Sequence, residues 1–212
     1  MKYAILSDIH ANLEAFDVVL EFCRHEGVGQ YISLGDTVGY GANPMECLDR
    51  LRSLSPLAVV KGNHDEYASN NDEVMEGFNP HARAAVLWTK TQLTPEGRNY
   101  LANLPMRMTP RNSNFTVVHA TLDSPDTWGY IFDVHHAADN FSYQFTPICF
   151  CGHSHVPLAF AKKPITLHAE RSIEEIPEWA GSGIITPEQA LQQESIVLKM
   201  EPGFKYLINV PN

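Results

Sequence analysis

The first strand predicted by the hydrophobic pattern, Lys2–Ser7, has an unbroken apolar centre, Tyr3-Ala4-Ile5-Leu6. It does not alternate, as expected of a strand covered on both faces. Leu13, Phe16, Leu20 and Cys23 then keep helical spacing, with Asn12 as a cap and Gly27 as a stop signal. A second strand is predicted over Gln30–Leu34, followed by a loop carrying Gly35, Gly39 and Gly41. The next helix has a start signal in Asn43, Pro44 and Glu46, a cap, a first-position proline and a capping-box partner. Leu57–Val60 reads as a third short strand.

Residues 70–104 change to helical spacing. Ala82, Ala85, Val86 and Trp88 mark one helix, and Tyr100, Leu101 and Leu104 a second that begins near Thr94-Pro95. This block is a candidate lid or a packing layer on the sheet. Strand signals return at Phe115–Val118, Ile148–Cys151, Leu158–Ala161, Ile165–His168, Ser195–Met200 and Lys205–Val210. A short helix over Val134–Phe141 interrupts them, and Ser172–Glu178 reads as irregular and acidic. The expectation is one α/β domain over residues 1–212 with two packed sheets flanked by helices and a strand-rich C-terminal part.

Composition narrows the classes of function. A formal charge of −10 over 212 residues argues against a non-specific nucleic-acid binder, which needs a basic surface. Anionic substrates remain compatible, because bound metal ions can supply positive charge. Four scattered cysteines do not make a disulfide scaffold, and no apolar run approaches a membrane span. A cytoplasmic location is the expectation. Nothing in the sequence indicates an oligomeric state.

The chemistry lies at the strand ends. Asp8 and His10 follow the first strand, Asp36 the second, and Asn63, His64 and Asp65 the third. His119 follows Phe115–Val118, and His153 and His155 follow Ile148–Cys151. Open α/β sheets bind ligands beyond the carboxyl ends of their strands. The two-residue spacing of Asp8 with His10, and of His153 with His155, suits projection to one side of an extended segment. Four histidines, two carboxylates and one amide oxygen favour Mn, Fe, Zn or Ni over Ca or Mg. Seven ligands exceed what one tetrahedral ion needs and suit two metals sharing a bridging carboxylate.

The segments DIH (8–10), GDTVG (35–39), GNHD (62–65), His119 and its neighbours, and GHSH (152–155) resemble the calcineurin-like metallophosphoesterase superfamily. VGYGANP (38–44) and WGYIFD (128–133) add to the resemblance, which covers residues 1 to about 160 and points to a branch of small bacterial phosphodiesterases and phosphatases. It implies a four-layer double β-sandwich flanked by helices. It also implies one metal on Asp8, His10, Asp36 and His155, and a second on Asp36, Asn63, His119 and His153. His64 would stand near the substrate without binding metal, with Asp65 holding its ring. Ala11 and Ala120 stand where many members have glycine, and Ser154 where threonine is usual.

The implied activity is binuclear-metal-dependent hydrolysis of a phosphate ester, mono- or diester or nucleotide, by a hydroxide bridging the metals. Asn63 would stabilise phosphoryl charge, and protonated His64 would assist the leaving oxygen. The alternative is a catalytically weak metal-binding interaction scaffold or a nucleotide-sensing module. Cys23, Cys47, Cys149 and Cys151 read as core residues, and His25, His135, His136 and His168 as surface ones. Tyr40 reads as packing or as a base-stacking residue, and His81 as a remote candidate for phosphate. Arg83, Lys90 and Arg98 are expected in solvent.

Overall fold

The computed structural model describes residues 1–71, 75, 78–164, 173–175 and 198–211. Three parallel strands, β1 (Tyr3–Leu6), β2 (Gln30–Ser33) and β3 (Ala58–Val59), form one sheet in that order. The second sheet has β4 (Arg107–Met108), β5 (Phe115–Val118), β6 (Ile148–Cys151), β7 (Leu158–Lys162), β8 (Ile173–Glu175) and β9 (Lys205–Asn209). Its order is β4-β5-β6-β9-β7-β8, so the late strand β9 inserts between β6 and β7. It runs parallel to β6 and antiparallel to β7.

Alternation along the strands builds the layers. Ile32, Leu34, Ala58 and Val60 from the first sheet meet Phe115 and Val117 from the second, with Ile5, Ile148 and Phe150 beside them. The opposite face of the first sheet, through Val59, Leu6 and Tyr31, packs on Phe16 and Leu20 of α1 (Leu13–His25) and on Cys47 and Leu51 of α2 (Pro44–Ser53). The outer face of the second sheet offers Val118, Cys149, Cys151, Phe160 and Leu207 to Ala137 and Phe141 of α6 (Val134–Tyr143). Helix, sheet, sheet, helix is the four-layer arrangement expected.

Three short helices complete the first half: α3 (Asn63–Ser69), α4 (Pro80–Gln92) and α5 (Pro95–Ala102). Ala68, Val86, Leu93 and Leu101 enclose one further core with Val38 and Leu48. The lid candidate is therefore anchored by a buried apolar face. Its corner at Phe78, Asn79 and Ala82 borders the cavity that contains His64.

Several local readings differ from the sequence expectation. Asn12 does cap α1, accepting from the Ala15 amide at 3.1 Å, but the Asn43 side chain makes no cap bond. The start of α2 is held instead by the backbone, with Asn43 N–H donating to the Ala11 carbonyl at 3.1 Å. Within the acidic stretch 172–178, Ile173–Glu175 is a strand paired with β7, because β7 offers it a free edge. The two-residue β4 and the helix α3 carried no periodic signal. The expected strand Ile165–His168 and the start of Ser195–Met200 lie outside the described residues, and 198–200 are not in a strand. Among the described residues no helix is long and apolar enough to cross a membrane.

Candidate metal centre

Five parallel strands deliver the expected ligands from their carboxyl ends. The route differs from the extended geometry that the two-residue spacings suggested. Asp8, His10, Asp36, His153 and His155 all have positive φ, at 53°, 49°, 53°, 69° and 57°. Each loop therefore turns sharply at the ligand itself, in a region that Asp and His enter more readily than most residues. Amides of the first loop are tied to carbonyls of the second: Asp8 to Gly35 at 3.1 Å, His10 to Asp36 at 2.9 Å and Ala11 to Thr37 at 3.0 Å. Close approach fixes two glycines. A Cβ at Gly62 would collide with the Asp36 carboxylate, and one at Gly152 with Ser7 Oγ and Asp8 Oδ2.

Among the described residues the side chains gather into two groups whose ligand atoms lie within 4.8 Å of one another, Asp8–His10–His155 and Asp36–His119–His153, with a third, His10–Asp36–His64, overlapping both. His10 Nδ1 faces the Val38 carbonyl at 3.3 Å, which leaves Nε2 to point at His155 Nε2, 3.1 Å away. Asp8 Oδ1 stands 3.3 Å from that His155 nitrogen and is buried without a hydrogen-bond partner. In the second group His119 Nδ1 donates to the Leu34 carbonyl at 2.8 Å. Its Nε2 then faces Asn63 Oδ1 at 3.2 Å and Asp36 Oδ2 at 3.4 Å. His153 Nε2 donates to the Trp128 carbonyl at 2.9 Å.

Electron-rich atoms thus converge twice, with ring orientations set by backbone carbonyls, as in metal sites. The donor set fits divalent transition metals on the ground of these opposed lone pairs and the orphaned Asp8 oxygen. Burial would raise the Asp36 carboxyl, but His119, His64 and His10 outweigh it and hold it well below the usual range. Burial opposes charge on His119, yet Asp36 and Asp8 raise its pKa to about 9. Burial pushes His64 and His153 down to about 4.

His64 and Asp65 sit in the first turn of α3. The ring of His64 is buried between Tyr40, at 4.4 Å between centroids, and Phe78, at 5.0 Å, and its Nδ1 has no hydrogen-bond partner. Asp65 does not hold that ring. Its carboxylate accepts the amides of Asp36 (2.8 Å), Thr37 (3.0 Å), Val38 (3.2 Å) and Gly62 (3.1 Å). Four donors saturate both oxygens, so Asp65 fastens the GDTVG loop to α3 instead. His64 also lies within ligand distance of His10 and Asp36.

Tyr130 stacks on the His153 ring at 4.2 Å and 16°, and Phe132 stacks on Tyr130 in turn. Together with the Trp128 carbonyl this loop orients His153. Sequence reasoning missed these roles, as it missed the Leu34 and Val38 carbonyls, because a backbone oxygen leaves no residue-type signal. Ser7 Oγ donates to Asp8 Oδ2, another partner without a motif. His81 is exposed and lines neither cavity at the centre, and neither do Arg83, Lys90 and Arg98. His25, His135 and His136 are exposed, while His168 lies outside the described residues. All four cysteines are buried and free.

A family model for the calcineurin-like phosphoesterase superfamily domain matches residues 1–170. An uncharacterized protein of Methanocaldococcus jannaschii is 40% identical over 156 residues, 73% of this chain and 62% of that protein. The chain thus spans less than two thirds of that relative's length. Among solved structures, a metallophosphoesterase from Sphaerobacter thermophilus aligns with a TM-score of 0.72 at 36% identity, covering 99% of this chain and 75% of the other. A hypothetical protein from Pyrococcus horikoshii OT3 shares the fold, with a TM-score of 0.60 at 22% identity over 74% of this chain and 71% of its own.

Proposed function

The chain belongs to the calcineurin-like phosphoesterase superfamily, and from that premise we propose that it hydrolyses phosphate esters with two divalent transition metals. The observation that carries the reading is the pair of ligand groups, Asp8–His10–His155 and Asp36–His119–His153, which meet where His10 Nε2 lies 3.8 Å from Asp36 Oδ2. Asp36 would serve both ions in this proposal, since its Oδ2 lies 3.4 Å from His119 Nε2 and 3.8 Å from His10 Nε2. Mn, Fe, Zn and Ni all suit the donors. Bound there, such ions would lower the pKa of water and neutralise charge on phosphoryl oxygens.

The chain's own groups do the rest. Asn63, at the N-terminus of α3, turns its Oδ1 to His119 Nε2 at 3.2 Å, and its amide would donate to a phosphoryl oxygen bound beside the second group. His64 stands between Tyr40 and Phe78 on the wall of the cavity beside the ligand groups, where it would face the leaving oxygen of a bound ester. Burial pushes its pKa down to about 4, so the metal-free ring is neutral near pH 7 and would meet the ester as a hydrogen-bond donor. Asp65 keeps Asp36 in place.

The test is a panel of p-nitrophenyl phosphate and bis-p-nitrophenyl phosphate with Mn(II), Zn(II), Ni(II) and Fe(II), beside metal analysis of the purified chain. Turnover that chelator removes and added metal restores is expected, with about two metals per chain. Tight metal uptake with no turnover on any ester would overturn the enzyme reading.

A further inference from the structure

The ligand groups form a ridge between two cavities. One, of about 460 Å³, opens on the His64 side and is walled by Tyr40, Tyr67, Phe78, Trp128 and Tyr130. The other, of about 950 Å³, runs along α1 past Ile9, Ala15, Phe16 and Val19, with Glu14 at its wall. Tyr40 and His155 border both. Among the described residues, no lysine or arginine lines either cavity.

Resting on the phosphoesterase reading, we propose that the substrate is a phosphodiester lying across this ridge. It places an aromatic ester group in the His64-side cavity and its second ester group in the groove along α1. Charge argues for a diester. A phosphomonoester carries most of a second negative charge near neutral pH, and a polyphosphate carries more. Bound metals would have to offset them, because no lysine or arginine among the described residues lines the walls and the chain is strongly acidic. A diester brings a single negative charge. Shape agrees, since a monoester has one arm for two cavities. Tyr40 and Tyr130 are each 49% exposed and offer apolar ring surface at the mouth, where an aromatic ring stacks independently of its hydrogen-bonding pattern.

In the reaction a water oxygen bonds to phosphorus and the phosphorus–oxygen bond to the aromatic group breaks. The departing oxygen takes one of the water protons, or leaves as the phenolate while that proton passes from the attacking water to solvent. The products are one alcohol or phenol and one monoester, whose second charge then favours its release from walls without cations.

The experiment uses the full chain loaded with Mn(II) and three esters that release p-nitrophenolate. They are bis-p-nitrophenyl phosphate, methyl p-nitrophenyl phosphate and p-nitrophenyl phosphate, each rate normalised to its uncatalysed hydrolysis. The expected order of normalised kcat/KM is bis-aryl, then methyl aryl, then monoester, with about tenfold or more between the first and last. Tyr40→Ala should shrink that ratio by about tenfold while Tyr40→Phe keeps it. Thr127→Lys, which adds a cation at the exposed rim, should shift preference toward the monoester. A monoester used as well as the diester, or a ratio indifferent to Tyr40→Ala, overturns the two-armed assignment and leaves the phosphoesterase reading standing. Hydrolysis of none of the three overturns that reading, and this inference with it.

Discussion

Replacing Asp65 tests whether it serves the reaction through His64 or serves the loop that carries Asp36. Its two oxygens accept four buried amides, at 2.8, 3.0, 3.1 and 3.2 Å. Leaving one buried donor unsatisfied costs about 1–3 kcal/mol. Four losses in one small space are not additive, because a water entering the gap satisfies some of them. Asp65→Ala is therefore expected to destabilise the metal-free protein by roughly 4 kcal/mol, a large share of a typical folding free energy of about 5–15 kcal/mol. Asp65→Asn keeps one accepting oxygen and turns an NH₂ toward the remaining amides, so about half that loss is expected, with a fresh donor–donor clash.

Urea unfolding of the metal-free chain is the assay. With a slope of about 2 kcal/mol per molar, roughly 2 kcal/mol moves the Asp65→Asn midpoint down by about 1 M. Metal affinity should fall with it, since one of the amides is that of Asp36 itself. An unchanged midpoint with turnover lost would refute this reasoning and return Asp65 to a role in the chemistry of His64.

Asp36→Asn should reduce metal uptake from two equivalents to one or fewer by elemental analysis, and two retained equivalents would exclude Asp36 as the bridge. His64→Ala should leave metal content nearly unchanged and slow turnover about 10²–10⁴-fold, with alkyl esters hurt more than nitrophenyl esters; loss of a metal would make His64 a ligand. Burial pushes Cys47 and Cys149 up to about 12, so the reactive thiolate stays scarce in the native state between pH 7 and 9. Iodoacetamide should label them only after unfolding, and fast native labelling that rises steeply across that range would contradict the packing.

The strand ends were legible because each pairs a signal of burial with a residue that burial does not explain. Phe115 to Val118 before His119 marks a buried strand handing over a polar group; Ala4-Ile5-Leu6 before Asp8 reads the same way but is only half-buried, because β1 is an edge strand rather than one covered on both faces. Cys149 and Cys151 were legible for the same reason, as alternating small residues facing α6. Helix α3 was not, because Asn63-His64-Asp65-Glu66 has no apolar period and the helix exists to place Asn63 and to bring Asp65 under the GDTVG loop. Asn43, Pro44 and Glu46 matched a capping box whose side-chain bonds do not form, since the Ala11 carbonyl already holds the Asn43 amide. Strand β9 could be read as a strand but not as the partner of β6, because its place in the sheet depends on contacts distant in the chain.

Five of the seven expected ligands occupy left-handed conformations, each costing on the order of 1–3 kcal/mol for a residue with a Cβ. A stable fold keeps that strain only if neighbouring bonds over-determine it. Here the amides of Asp8, His10 and Ala11 lock onto the second loop, and Asp65 locks that loop onto α3. Asp8 Oδ2 accepts the His153 amide at 3.1 Å, tying the fifth strand end to the first. The ligands therefore position one another through their own main chains before any ion arrives. Little reorganisation is then left for metal binding to drive, and a loss at one loop should be felt by both ligand groups together.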